Sequence, residues 1–147
     1  MNKKKILVLC TGNSCRSIMA EGLINHFGKD NFQAFSAGSK PTGYVHPMSI
    51  KTLKKSGIFK IDYKSQSWDE FSDINFDLVI TVCDNAAGES CPVYLSGAPK
   101  VHWGVEDPAK FKCSEEEIEN EFQRIFKILE KRTHAMVEKY SYTKNLQ

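Results

Sequence analysis

Lys5-Ile6-Leu7-Val8-Leu9 runs directly into Cys10-Thr11-Gly12-Asn13-Ser14-Cys15-Arg16-Ser17, and this stretch decides the fold. The short aliphatic run suits a strand covered on both faces. The loop then delivers a thiol, turns at Gly12 and opens a helix over Ser17–Phe27, where Ile18, Met19, Leu23, Ile24 and Phe27 share one face. Strand, turn and helix in that order build an anion trap. Successive amides of Thr11, Gly12, Asn13, Ser14, Cys15 and Arg16 can converge on one centre, and the helix adds its positive dipole end. Arg16, six residues after Cys10, can return a planar fork that binds two oxygens at once. A thiol of pKa about 8.5 is only about 3% ionised at pH 7, and lowering it to about 6 would make it roughly 90% thiolate. Cys10 is therefore expected to be a thiolate nucleophile. Ser17 either hydrogen-bonds a sulfur or caps the helix, and Cys15 reads as a spectator.

Outward from the loop, strand and helix patterns alternate. Gln33–Ala37 is a weaker strand closed by Gly38, and Pro47–Ser56 reads as a helix with Pro in its first turn and Gly57 at C′. Asp77–Val82 is a second strongly buried strand, and Ala98–His102 reads as a fourth. Ser114-Glu115-Glu116-Glu117 has capping-box spacing. Behind it, Ile118, Phe122, Ile125, Leu129, Met136, Val137 and Tyr140 form an apolar stripe. Strands separated by helices imply a parallel sheet with right-handed crossovers, an open α/β domain. Ligands in such sheets sit at the carboxyl ends of the strands.

The whole chain bounds these readings. Its 147 residues suit one domain over 1–147. A balance of 20 Lys+Arg against 18 Asp+Glu, net +2, argues against a nucleic-acid partner. No apolar run approaches the about 18 residues of a membrane span. The apolar run before Cys10 is shorter than the about 7–15 residues of an export signal, so a cytoplasmic protein is expected. Five cysteines (10, 15, 83, 91 and 113) then make an unlikely disulfide framework.

Cys-x5-Arg-Ser directly after a buried strand resembles the signature of the low-molecular-weight protein tyrosine phosphatase superfamily. Phe35-Ser36-Ala37-Gly38, Gly57-Ile58 and Asp107-Pro108 match the same pattern, and the similarity covers essentially the whole chain. The resemblance implies a four-stranded parallel sheet with helices on both faces. It also implies that Cys10 attacks the oxyanion and that Asp107 protonates the leaving group.

The superfamily holds two chemistries. Cys83 and Cys91 leave the end of the second strong strand, on the rim where the anion loop must lie. They read as two unpaired buried thiols, as zinc ligands with Cys10 and Cys15, or as a redox pair. A phosphatase has no use for them, whereas a thiol-dependent reductase passes electrons between such thiols. This segment, with His102-Trp103-Gly104 and Asp107-Pro108, resembles the arsenate reductases built on this fold. The resemblance implies attack of Cys10 on arsenate, attack of Cys83 on Cys10 with release of arsenite, and a Cys83–Cys91 disulfide recycled by thioredoxin. The segment between the two cysteines holds seven residues, one more than in the better-known thioredoxin-coupled members. Glutathione with glutaredoxin is the competing donor. Ala109-Lys110 stands where tyrosine phosphatases place an aromatic residue, although hydrolysis of phosphate monoesters through a Cys10 phosphoenzyme remains the alternative activity. A non-catalytic phospho-ligand or thiol-redox module is the third reading. Asn13, Glu21, Ser36 and Asp69 align with a potassium site of some such reductases. The route requires Cys83 to travel, so the 84–90 segment is expected to be loosely held. Cys113 matches no family role.

Overall fold

The computed structural model describes residues 3–84, 88, 91–110 and 114–145. Cys113 and all of the 84–90 segment except Asp84 and Gly88 lie outside the described residues. Four strands, β1 (Lys4–Leu9), β2 (Phe32–Ala37), β3 (Leu78–Thr81) and β4 (Lys100–His102), form one parallel sheet in the order β2-β1-β3-β4. Among the described residues three α-helices accompany it: α1 (Arg16–Phe27), α2 (Pro47–Lys55) and α3 (Glu115–Asn145). Short 3-10 helices occupy Trp68–Phe71, Val93–Leu95 and Pro108–Lys110. Each expected strand and helix is present, with ends shifted by one or two residues. β1 is central, and Ile6, Leu7 and Val8 are fully buried, as both-face coverage demands.

The register sets the site. Leu9 pairs with Ala37 on one side and Thr81 on the other, and Thr81 pairs with His102. The four carboxyl ends therefore finish level. Cys10, Gly38, the Val82–Cys83 turn and Trp103 all leave from one rim.

The α-helices pack together on one face, where Phe32 of β2 meets Tyr140 of α3 and Ala34 exchanges two hydrogen bonds with Asn25 of α1. On the other face Phe35 stacks edgewise on Phe71 and Phe76, beneath the Trp68–Phe71 3-10 helix. Helical turns thus cover both faces, with α-helices on one and a 3-10 helix on the other. The α3 stripe buries Phe122, Ile125 and Leu129 as expected, together with Phe126 and Thr133, which the stripe did not include. Ser114 Oγ accepts from the Glu117 amide at 3.3 Å and donates to the Glu117 carboxylate at 3.0 Å, a variant of the capping box. Among the described residues no helix is long and apolar enough to cross a membrane.

Candidate active site

The loop after β1 is held from outside by its carbonyls. Thr11 O accepts from the Lys40 amide (3.1 Å), Gly12 O from the Thr42 amide (3.0 Å) and Ser65 Oγ (3.1 Å), and Ser14 O from the His46 amide (3.0 Å). In a trans peptide the N–H points opposite to the C=O. Outward carbonyls therefore turn the amides of Gly12, Asn13 and Cys15 inward, and the Gly12 amide donates to the Cys10 sulfur. Asn13 takes a positive φ of 47°, a conformation Asn tolerates better than most residues. Its side chain fixes the turn: Nδ2 donates to Ser17 Oγ (2.8 Å) and Ser36 Oγ (3.0 Å), while Oδ1 accepts from the Gln66 amide (2.8 Å). Gly38 packs against the loop backbone so closely that a Cβ there would lie 2.3 Å from Thr11 O.

The helix begins at Arg16, and Cys15 is its N-cap without a side-chain cap bond. Ser17 serves the Asn13 network and does not cap the helix. Arg16 is 15% exposed; one terminal nitrogen donates to Val105 O at 3.0 Å and the other lies 3.7 Å from Asp107 Oδ2. Its Nε is the buried side-chain polar atom without a hydrogen-bond partner among the described residues. A buried N–H of this kind is costly unless an acceptor comes, which is what an oxyanion in the loop supplies. Asp107 Oδ1 accepts from the Ala109 amide at 3.0 Å, holding its other oxygen toward Arg16.

Cys10, Cys15, Cys83 and Cys91 are free thiols, the first three buried and Cys91 half-buried. Cys83 stands beside the nucleophile: the Thr11 amide donates to its Sγ at 3.4 Å, and it shares a hydrogen bond with Cys10. The expected thiolate is corrected here. The hydrogen bond with Cys83, then burial, push the Cys10 thiol well above its ordinary value, and Arg16 and the Gly12 amide offset only part of this. Loop and helix terminus alone suggest depression; the second thiol reverses the sign. Burial likewise pushes Cys15 up to about 11, consistent with a spectator.

Beyond the loop opens a cavity of about 860 Å³, with Arg16, Cys83, His102, Asp107, Lys110 and Arg124 on its wall. Cys83 lines it and Cys10 lies behind. Among the described residues no group of three or more His, Cys, Asp or Glu side chains gathers to hold a metal ion, so the four-cysteine zinc reading finds no cluster.

Of the residues aligned with a potassium site, Asn13, Glu21 and Ser36 meet in one chain, with Ser36 Oγ donating to Glu21 Oε1 at 2.5 Å. Burial pushes the Glu21 carboxyl up to about 7. Asp69 lies exposed on the 3-10 helix, its amide donating to Ser67 Oγ at 3.1 Å. The half-buried Glu21 carboxyl and the Ser36 hydroxyl are hard oxygen donors suited to a cation that takes oxygen ligands, whereas Asn13 turns its Nδ2 toward Ser36 and gives its oxygen to the Gln66 amide. Sequence reasoning missed Val105, whose carbonyl aims Arg16, and Gln66, whose amide anchors Asn13; both act through the backbone and leave no side-chain signature. It also gave no separate role to Thr81 and Asp84, which flank His102.

A strand-end thiol under inward amides and an arginine with an unmet N–H define a cysteine-loop protein built around a tetrahedral anion. The chain belongs to the low-molecular-weight phosphotyrosine protein phosphatase family, whose model matches residues 5–146. It is 41% identical over 138 residues to an arsenate reductase of Halalkalibacterium halodurans, covering 94% of this chain and 98% of that one. Among solved structures it resembles an arsenate reductase in a phosphate-binding state, with TM-score 0.77, 27% identity and coverage of 92% and 98%. A low-molecular-weight protein tyrosine phosphatase from T. tengcongensis superposes similarly, with TM-score 0.78, 25% identity and coverage of 93% and 99%. The fold therefore spans both chemistries, while the curated relative is a reductase.

Proposed function

We propose that the protein reduces arsenate to arsenite with electrons from its own thiols. The observation that carries this reading is Cys83, a second thiol hydrogen-bonded to the nucleophile and lining the cavity. Hydrolysis of a phosphate ester has no use for it. The loop amides and Arg16 hold three oxygens of the anion. Cys10 sulfur attacks arsenic and an oxygen leaves as water, protonated with help from Asp107. Cys83 thiolate then attacks the Cys10 sulfur; the S–As bond breaks, its electron pair stays on arsenic, and arsenite departs as the Cys10–Cys83 disulfide forms. Cys91 attacks Cys83, freeing the Cys10 thiolate, and the Cys83–Cys91 disulfide takes two electrons from an external dithiol of the thioredoxin type. Each disulfide needs Cα atoms about 4.4–6.8 Å apart, so Cys83 must change partners by moving.

In the same reading, a potassium ion would be held by Glu21 and Ser36 with Asn13, would neutralise Glu21 beneath the loop, and would draw on Asp69 as a further carboxylate.

Stopped-turnover chemistry tests the relay. Cys10→Ser should abolish all turnover, because a hydroxyl cannot replace the nucleophile. Cys91→Ser should release one equivalent of arsenite and stop as a Cys10–Cys83 disulfide, visible in peptide mass spectra. Repeated turnover by Cys91→Ser with thioredoxin alone would overturn the relay. Turnover by Cys83→Ser with glutathione and glutaredoxin alone would instead point to an external thiol acting on the Cys10 adduct.

A further inference from the structure

His102 closes a side-chain bridge across the rim. It ends β4, directly opposite Thr81 in the register. Its Nδ1 lies 2.7 Å from Thr81 Oγ1, and its Nε2 lies 3.0 Å from Asp84 Oδ1. An ionised carboxylate only accepts, so Nε2 carries a proton in this contact, and Nδ1 of the neutral ring accepts from the Thr81 hydroxyl. Thr81 is buried and belongs to the sheet, whereas the Asp84 side chain is 95% exposed. The ring therefore ties a fixed residue to a solvent-facing one. Gly104 leaves it room, since a Cβ there would lie 2.5 Å from His102 Nε2.

Asp84 is the residue next to Cys83. The backbone on the other side is already secured: the Trp103 amide donates to Thr81 O (2.7 Å) and the Val105 amide to Val82 O (3.1 Å). Val105 O in turn takes the Arg16 hydrogen bond. One stretch, His102 to Val105, thus holds the arginine at one end and the residue beside Cys83 at the other. Sheet pairing ends at Val82; beyond it the Thr11 amide and hydroxyl and the Cys10 thiol meet the Cys83 sulfur itself, and the His102–Asp84 contact holds the residue that follows it.

We propose that His102 is a positioning residue for the thiol relay: its imidazole tethers Asp84 and so keeps Cys83 at the Cys10 end of its travel. This rests on the relay described above. The step it serves forms the Cys10–Cys83 bond and breaks S–As, with the electron pair going to arsenic. Transfer to Cys91 then takes Asp84 away from the ring, so the tether belongs to the first disulfide and not to the second.

The test uses the full chain carrying Cys91→Ser, mixed with arsenate without external reductant. Acid-quenched samples give the rate of Cys10–Cys83 disulfide formation, and calorimetry gives phosphate affinity. His102→Ala should slow the disulfide about tenfold or more, within the about 10²-fold that misplacing a reacting group by about 1 Å can cost, with phosphate affinity unchanged. Asp84→Ala, at an exposed position, should slow it equally, and the double variant should be no slower than either single one. His102→Gln, whose amide can donate to Asp84 and accept from Thr81, should recover most of the rate. An unchanged disulfide rate in His102→Ala, additive effects of the two alanines, or a parallel loss of phosphate affinity would each overturn the proposal. If the Cys91→Ser parent itself forms no Cys10–Cys83 disulfide, the relay fails and the tether with it. An active parent with an indifferent His102→Ala removes the tether alone.

Discussion

Arg16 is pulled on by Val105 O and Asp107 and still keeps one buried N–H unmet. Replacing it with Lys keeps the charge but loses the fork. Arg16→Lys should weaken phosphate binding by about 1.5–3 kcal/mol, the worth of one charged hydrogen bond, with the melting temperature unchanged; titration calorimetry and thermal melting report the two. Cys10 carries a second prediction. Because Cys83 is the largest cause raising it, Cys83→Ala should move Cys10 thiolate formation to lower pH. The pH profile of iodoacetamide labelling at Cys10, followed by mass spectrometry, should shift in that direction. Two interacting thiols titrate as a pair, so the wild-type profile should also be broader than that of the single thiol. Among individual residues, those whose chemistry is carried by type and spacing were legible: Cys10, Arg16, Asp107 and Cys83 all arrive at one rim. The direction of the Cys10 shift was not, because it depends on whether the Cys83 sulfur rests within hydrogen-bond reach of Cys10, which a shared rim does not fix.

At the scale of elements, the sequence pattern located each described strand and α-helix, since burial on one or both faces imposes a period that side chains must obey. Ends were less legible. β3 closes at Thr81 where the apolar pattern runs on to Val82, because the Val82 amide still bonds Leu9 O although the strand has finished. The 3-10 turns over Trp68–Phe71 and Val93–Leu95 escaped notice, being too short to show a period. The α3 stripe passed over Thr133, whose hydroxyl donates to Leu129 O at 2.8 Å and so can be buried at little cost. The contact between the end of β2 and the anion loop gives the prediction of this scale. Gly38→Ala places a methyl between the Thr11 and Cys10 carbonyls, and neither backbone can yield without moving the loop. It should cost about 1–3 kcal/mol of stability and weaken phosphate binding as well. Urea unfolding and calorimetry would show both losses together.

The molecule as a whole couples its stability to Glu21. This carboxyl is raised from 4.5 to about 7, mainly by burial. A raised acid favours the fold most while protonated, so its contribution is complete below pH 4.5 and is lost as the pH climbs through about 7. Glu21→Gln stays neutral throughout. From pH 5 to pH 8 the variant should therefore gain on the parent by on the order of 3 kcal/mol at most, measured as urea midpoints. Potassium, if held there, should narrow the gap at pH 8 and leave the variant unmoved. The strand order carries a different consequence. Val8 meets Ser36 early in the chain, but its other neighbour, Ile80, belongs to the second half, and the cavity wall is finished only by Arg124 and Arg132 of α3. At a synthesis rate of about 5–20 residues per second, a nascent chain would carry the Cys10 sulfur for roughly ten seconds before the last wall residue is made. The thiol that the finished fold keeps 4% exposed thus begins its life open to oxidants, and the fold that shelters it closes only when the second half of the chain arrives.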